Sequence, residues 1–313
     1  MSYPMLPPTQ VGEVLLVATH YEDSQAKWDN VPDSLGGHWE GDDSLVLEES
    51  GIRLRGVKDP AWGYLPGGSF AGLVPEGSQA PVVALADITV TCAAGPVLLI
   101  DLREVPGRGV RVAADLLPRV LDGLWQGTIR FDELVHEMDT IGTYLGDCGA
   151  PVSPTPTAVV RTGFPRFPAV QTDEAEGGEV TLLVRTDFSD AGAWQALLDE
   201  LGGVNERGRT EIDFERIQDE EPSLDSLVID DRAFESLQPG QVPALVPPGT
   251  QLTMVALADE VTMTDPARSL LVVDLHDTPG HAIRVPLNVV GAMACNLQIA
   301  NMDFFEYDGF TYG

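Results

Sequence analysis

The 313-residue chain carries one pattern twice, and that duplication constrains its fold more than any single motif does. Val83-Ala84-Leu85-Ala86-Asp87 returns as Val255-Ala256-Leu257-Ala258-Asp259. Asp101-Leu102, Pro106-Gly107 and Arg111-Val112 return as Asp274-Leu275, Pro279-Gly280 and Arg284-Val285. Upstream, Gly12-Glu13-Val14 and Leu15-Leu16-Val17 answer Gly178-Glu179-Val180 and Leu182-Leu183-Val184, while Trp28 answers Trp194 and Trp62 answers Phe234. A repeat of this length buries about two-thirds of the surface its unfolded chain exposes, enough for a core of its own. The expected organisation is a divergent first copy over 11–147, a Pro-rich then acidic linker over 148–178, and a second copy over 179–313.

The second copy reads more clearly. Val180 to Val184 is an apolar run that suits a buried strand. Ser189 or Asp190 is placed to cap a helix whose apolar face is Trp194, Leu197, Leu198 and Leu201, ended by Gly202-Gly203. Glu211 to Ile217 alternates, and Leu227-Val228-Ile229, Leu252 to Ala258 and Ser269 to Leu275 read as further strands. The Pro-Gly order in Thr278-Pro279-Gly280-His281 predicts a type II turn, which would pair Leu270 to Leu275 with Ala282 to Val285. A helix from Leu287 to Ile299 closes the unit.

The first copy repeats these elements at Leu15 to Ala18, a helix carrying Trp28, Ile52 to Val57, Val82 to Ala86, Pro96 to Leu102 and Gly109 to Val112. Phe131, Leu134, Met138, Ile141 and Leu145 recur at helical spacing and predict an amphipathic helix that copy two lacks, packed between the copies, on the linker or on its own domain. The expected fold class is therefore α/β: two tandem copies of a mixed parallel/antiparallel sheet with flanking helices, related by a pseudo-twofold axis.

Composition narrows the function. Forty-nine acids face 18 bases, a net charge of −31 spread over both halves. Binding to nucleic acid or an anionic membrane surface runs on Lys and Arg neutralising phosphates, so neither is an expected partner. The acidity reads first as a solvated surface, second as a face for a basic partner, and third as adaptation to high salt, which the presence of only two lysines (Lys27 and Lys58) suggests. No apolar run approaches the ~20 residues of a membrane span. The start, Met1 to Pro8, lacks the basic and apolar regions of a signal peptide, so a cytoplasmic location is expected. Cys92, Cys148 and Cys295 are unclustered and unmatched between copies, and read as free thiols.

Leu182-Leu183-Val184-Arg185-Thr186-Asp187-Phe188-Ser189-Asp190, Leu270 to Leu275, and Asn296 to Phe304 resemble an uncharacterised family common in actinobacteria, the domain of unknown function 6924. The resemblance covers almost all of copy two. Copy one is a divergent relative, with Thr19-His20-Tyr21-Glu22 opposite Thr186-Asp187-Phe188-Ser189 and Thr128-Ile129-Arg130-Phe131 opposite Asn301-Met302-Asp303-Phe304. The resemblance implies a compact α/β domain, no established activity and no catalytic residue to carry over.

Three clusters are candidates for chemistry. Asp274, His276, Asp277 and His281 could bring two imidazoles and two carboxylates toward one divalent ion. The matching residues of copy one are Asp101, Arg103, Glu104 and Arg108, so a metal site shared by both copies is excluded, and turn residues on a solvated hairpin are the simpler reading. Asp187, Asp231 and Asp259 each fall just past a predicted strand, where open α/β sheets bind ligands and where carboxylates could hold Mg²⁺; Asp also caps helices at such places. Copy one keeps Asp59 and Asp87 but has His20 opposite Asp187. Asn296, Asn301 and Asp303, set among apolar residues, are expected to tie the last helix to the sheet by side-chain hydrogen bonds. No phosphate loop and no Gly-x-Ser-x-Gly elbow is present, and Cys92 and Cys295 lack a matched histidine.

The resulting expectation is a non-enzymatic acidic interaction protein, immunity-like or regulatory, without a cofactor, whose partner is a polypeptide and whose two copies form an internal pseudo-dimer that leaves the chain monomeric. The alternatives are a Mg²⁺-dependent enzyme using Asp187, Asp231 and Asp259, and a purely structural pseudo-dimer.

Overall fold

The computed structural model describes residues 3–63, 65–146, 181–212, 222–247, 250 and 252–308. The expected linker and most of the alternating stretch Glu211 to Ile217 lie outside them. The chain divides into two compact units, each built on one mixed sheet.

The strands of the first unit are β1 (Glu13–Ala18), β2 (Tyr21–Glu22), β3 (Gln25–Ala26), β4 (Gly37–Glu40), β5 (Ser44–Leu47), β6 (Arg53–Val57), β7 (Val82–Ala86), β8 (Val97–Asp101), β9 (Gly109–Val112) and β10 (Thr143–Tyr144). Eight of them form a sheet in the order β10-β9-β8-β7-β1-β6-β5-β4, while β2 and β3 pair separately as a small hairpin. β1 is parallel to both neighbours, β6 and β7, and the β7-β8-β9 pairs are antiparallel.

The second unit has β11 (Thr181–Arg185), β12 (Arg209–Thr210), β13 (Ser226–Ile229), β14 (Met254–Ala258), β15 (Leu270–Asp274) and β16 (Ala282–Val285), in the order β12-β13-β11-β14-β15-β16. Here β11 is parallel to β13 and β14, and β14-β15-β16 run antiparallel. The expected pairing across Pro279-Gly280 is present, with Gly280 at a φ of 87°.

The duplication holds down to strand register. Leu16 faces Ala84 and Val17 faces Leu85; in the second unit Leu183 faces Ala256 and Val184 faces Leu257. Val17 also faces Val57, as Val184 faces Ile229, so Lys58 and Asp59 stand where Asp230 and Asp231 stand. A slip of one residue would turn each strand's buried set inside out. Both sheet faces are covered: Val14, Leu16 and Ala18 pack with Val120 and Leu121 of the helix Leu117–Gln126, and Leu15 and Val17 pack with Trp62 and Phe70. Likewise Leu183 packs with Trp194 and Met293, and Leu182 and Val184 with Phe234. Among the described residues no helix is long and apolar enough to cross a membrane.

Two expectations are corrected. The segment around Trp28 is not the counterpart of the helix Ala191–Glu200. Asp23 and Ser24 take left-handed φ values of 49° and 64° and turn the chain into the β2-β3 hairpin, and only a short helix, Val31–Leu35, follows Trp28. Nor does Phe131 begin a long helix peculiar to copy one. The helix Phe131–His136 stops short, Gly142 turns the chain at a φ of 74°, and β10 follows. Phe131, Leu134 and Met138 bury in their own unit, while Ile141 and Leu145 are 44% and 47% exposed. Copy two carries the 3₁₀ turn Phe304–Tyr307 at the same point, after its last helix, Leu287–Gln298.

Candidate functional site

β11 sits between two parallel strands, and the chain leaves it toward β13 but reaches β14 on the other side. The carboxyl ends around such a reversal are where open α/β sheets take ligands. Asp187, Asp231 and Asp259 stand there, and each is engaged by its own chain. Asp187 accepts from the Ser189 hydroxyl at 2.6 Å and the Ser189 amide at 3.2 Å. Asp231 accepts the Ala233 amide at 2.8 Å, capping a 3₁₀ turn. Asp259 caps the helix Glu260–Thr264 through the Thr262 amide at 3.1 Å and pairs through both oxygens with Arg284. Burial alone would raise the Asp259 pKa, but the Arg284 guanidinium and the Thr262 amide outweigh it and hold the carboxyl below its ordinary value.

The first unit repeats two of these arrangements. Asp59 accepts the Ala61 amide at 2.9 Å; Asp87 accepts the Val90 amide at 3.2 Å and pairs with Arg111 at 2.8 Å. What recurs is the cap with its arginine. Among the described residues no group of three or more His, Cys, Asp or Glu side chains is arranged to hold a metal ion.

The hairpin cluster is also organised around one carboxylate. Asp274 accepts the amides of His276 (2.7 Å), Asp277 (3.2 Å) and Thr278 (2.6 Å), and Asp101 accepts those of Arg103 (2.9 Å), Glu104 (2.9 Å) and Val105 (2.8 Å). The loop is thus clamped to the end of its strand in both copies. His276 is exposed and lies 3.3 Å from Asp277, whereas His281 is 2% exposed, so the two imidazoles do not meet on one ion. Burial lowers the His281 pKa to about 4 and raises that of Asp274 to about 7, the latter helped by the charge of Asp277. In copy one Arg108 stands at the place of His281, equally buried. It donates to Asp101 at 3.2 Å and Asp132 at 2.9 Å, and lies 5.3 Å over the Phe131 ring.

The third cluster forms a chain of hydrogen bonds. Asn301 Nδ2 donates to Asn296 Oδ1 at 3.0 Å, Asn296 Nδ2 donates to Tyr307 Oη at 2.8 Å, and the Asp303 amide donates to Glu306 at 2.7 Å. These join the last helix to the turn after it. That turn is tied to the hairpin by the Phe304 amide on Asp277 at 3.2 Å, as the Phe131 amide is tied to Glu104 at 3.0 Å.

The fold assembles two groups that sequence reasoning missed. Cys92 does have a histidine: β1 and β7 are neighbours, so the loop after β1 meets the helix Ile88–Ala93 that follows β7, and His20 Nδ1 comes to 3.9 Å from Cys92 Sγ. The Thr91 hydroxyl lies 2.9 Å from the Asp87 carbonyl and 2.7 Å from His20 Nδ1, so it joins the imidazole to the backbone of the strand end. In the second unit, buried Arg185 stacks 4.4 Å from Phe188 and 5.4 Å from Trp194. Asp230 accepts both from Arg185 at 3.2 Å and from Trp194 Nε1 at 3.0 Å. The signal available in sequence was the reversal of charge between Asp230 and Lys58.

A family model described as Domain of unknown function (DUF6924) matches residues 13–147 and 180–311. No curated protein and no solved structure matches the chain.

Proposed function

We propose that this chain, which belongs to the DUF6924 family through both of its halves, is a non-enzymatic acidic interaction module that engages a basic polypeptide in the cytoplasm. One observation carries this reading. Two of the three strand-end aspartates that would serve an enzyme, Asp231 and Asp259, recur in the first copy as Asp59 and Asp87 with matching capping amides and, at Asp87 and Asp259, a matching arginine, while His20 stands opposite Asp187. A carboxylate spent on a helix cap and an ion pair is explained by stability. The remaining chemical asset is the excess of acids, whose field draws in and orients a positively charged partner.

The test is co-purification of the tagged full-length chain from a lysate of its native host, with nuclease present and over a range of ionic strength. The expected result is a stoichiometric basic protein that is released as salt rises, because charges at an interface rim are screened. Recovery of the chain alone, or a partner held equally at all salt concentrations, overturns the proposal.

A further inference from the structure

Trp28 and Trp194 are matched in sequence, and both pack on the sheet face that holds Leu16 or Leu183. Their indole N–H groups meet different fates. Trp194 Nε1 donates to Asp230 at 3.0 Å, and that carboxylate is held in turn by Arg185 at 3.2 Å. Trp28 is 8% exposed, and its Nε1, itself buried, has no hydrogen-bond partner among the described residues. The residue at the place of Asp230 is Lys58, whose ammonium lies 5.1 Å from the centre of the Trp28 ring. Arg185, the cation of the second unit, is replaced by Ala18. The second unit therefore contains an indole donor, a cation and the carboxylate that joins them, whereas the first contains the donor and a cation without the carboxylate.

We propose that the first unit binds a carboxylate anion at Trp28 and Lys58, in the role that Asp230 fills within the second unit. A buried N–H left unpaired is destabilising, and a charge-assisted acceptor relieves that cost. The field of a chain with net charge −31 opposes any anion, so recognition has to be local. The chain's two lysines both flank Trp28, Lys27 in sequence and Lys58 over the ring. Lys27 is paired with Glu22, and the neighbouring Asp59 accepts the Ala61 amide, which leaves Lys58 as the cation facing the site. The carboxylate could come from a free small acid or from an acidic side chain of a bound peptide. The inference is independent of the proposed basic partner.

The experiment follows the indole N–H resonances of the full-length chain, ¹⁵N-labelled, during titration with acetate and, separately, with a short acidic peptide blocked at both ends. Chloride at equal ionic strength is the control. Trp194, whose acceptor is in place, serves as the internal standard, and Trp28→Phe assigns the resonance. A saturable shift at Trp28 with acetate supports a small-carboxylate site, and a shift with the peptide alone supports a side chain of a partner. Lys58→Ala should weaken either response about tenfold or more, the loss of one charge-assisted contact. Lys58→Asp supplies the carboxylate internally, so the Trp28 resonance should move without ligand and stop responding to acetate. No shift with either probe, an equal shift with chloride, or an unchanged response in Lys58→Ala overturns the proposal.

Discussion

Arg108 and His281 occupy the same position in the two hairpins. Both are buried, and each lies against the phenylalanine, Phe131 or Phe304, that opens the segment after the last long helix. Around this common frame the electrostatics diverge. Arg108 gathers Asp101, Glu104 and Asp132 about one guanidinium, whereas Asp132 is matched by Phe305, so the second unit has given up both the cation and one of its acids.

Removing the cation from the first unit should therefore be severe. Arg108→Met keeps the apolar bulk against Phe131 but leaves Asp101 buried and without its guanidinium. The expected loss is about 3–5 kcal/mol, the usual cost of breaking one side of a buried ion pair. Urea unfolding followed at amide resonances of β8 and β9 measures it. A loss under about 1 kcal/mol would mean that the three backbone amides alone sustain the Asp101 carboxylate.

The second unit should instead respond to pH. Asp274 has a folded pKa of about 7, well above its ordinary value of 3.8, so the folded state binds the extra proton and stability rises as pH falls from above 7 toward 4. His281 acts in the opposite sense. Its pKa falls from 6.5 to about 4 on folding, so stability is lost as pH falls through that window. The two slopes oppose each other between 6.5 and 4. His281→Gln deletes the second slope, and the variant should gain up to about 1.4 kcal/mol per pH unit on acidification from 7 to 5. Urea midpoints read at β15 amides test this; a pH profile identical to that of the parent chain would refute it.

Asp259 and Asp231 separate structural from catalytic roles. Asp259→Ala removes a helix cap, worth about 1 kcal/mol, and a partly buried pairing with Arg284, for a combined loss of about 2–3 kcal/mol. Asp231→Ala removes a cap from an exposed turn and should cost about 1 kcal/mol or less. Denaturation with and without Mg²⁺ checks both. A midpoint raised by Mg²⁺ in the parent, and insensitive to it in either variant at unchanged stability, would return these carboxylates to the role of metal ligands.

The sheet was legible because strand pairing follows the apolar runs that the duplication repeats. Ala84 to Ala86 and Ala256 to Ala258 pair with β1 and β11 in one register. The segment around Trp28 was not legible by the same route. Its match to Trp194 carries over a buried indole but not the backbone that delivers it, and left-handed turns at Asp23 and Ser24 leave no periodic signal. Polar partners were harder still. His20 meets Cys92 across 72 residues, Asp122 accepts the Gly51 amide across 71, and Lys58 lies over Trp28, each brought together by the order of the strands and the helices packed on them. Charge changes between the copies, the reversal of Lys58 for Asp230 and the exchange of Arg108 for His281, were visible in the sequence. Their meaning needed burial and distance.

One further substitution tests how tightly the second unit is packed beneath its last helix. A Cβ at Gly291 would stand 1.9 Å from the Ser223 carbonyl oxygen, a backbone atom. That segment has little room to retreat, because the Thr210 hydroxyl holds the next carbonyl, of Leu224, at 2.5 Å and contacts the Ser226 hydroxyl at 2.7 Å. Gly291→Ala gains about 1 kcal/mol of helix propensity, yet forcing the helix off the strand should cost more, for a net loss of about 1–3 kcal/mol. Gly72→Ala, with open space around the added carbon, should change stability by about 0.5 kcal/mol or less. Parallel urea titrations of the two variants compare them. A stabilised Gly291→Ala would show that the segment from Ser223 to Ser226 gives way, and that the helix rests on the sheet less closely than its position implies.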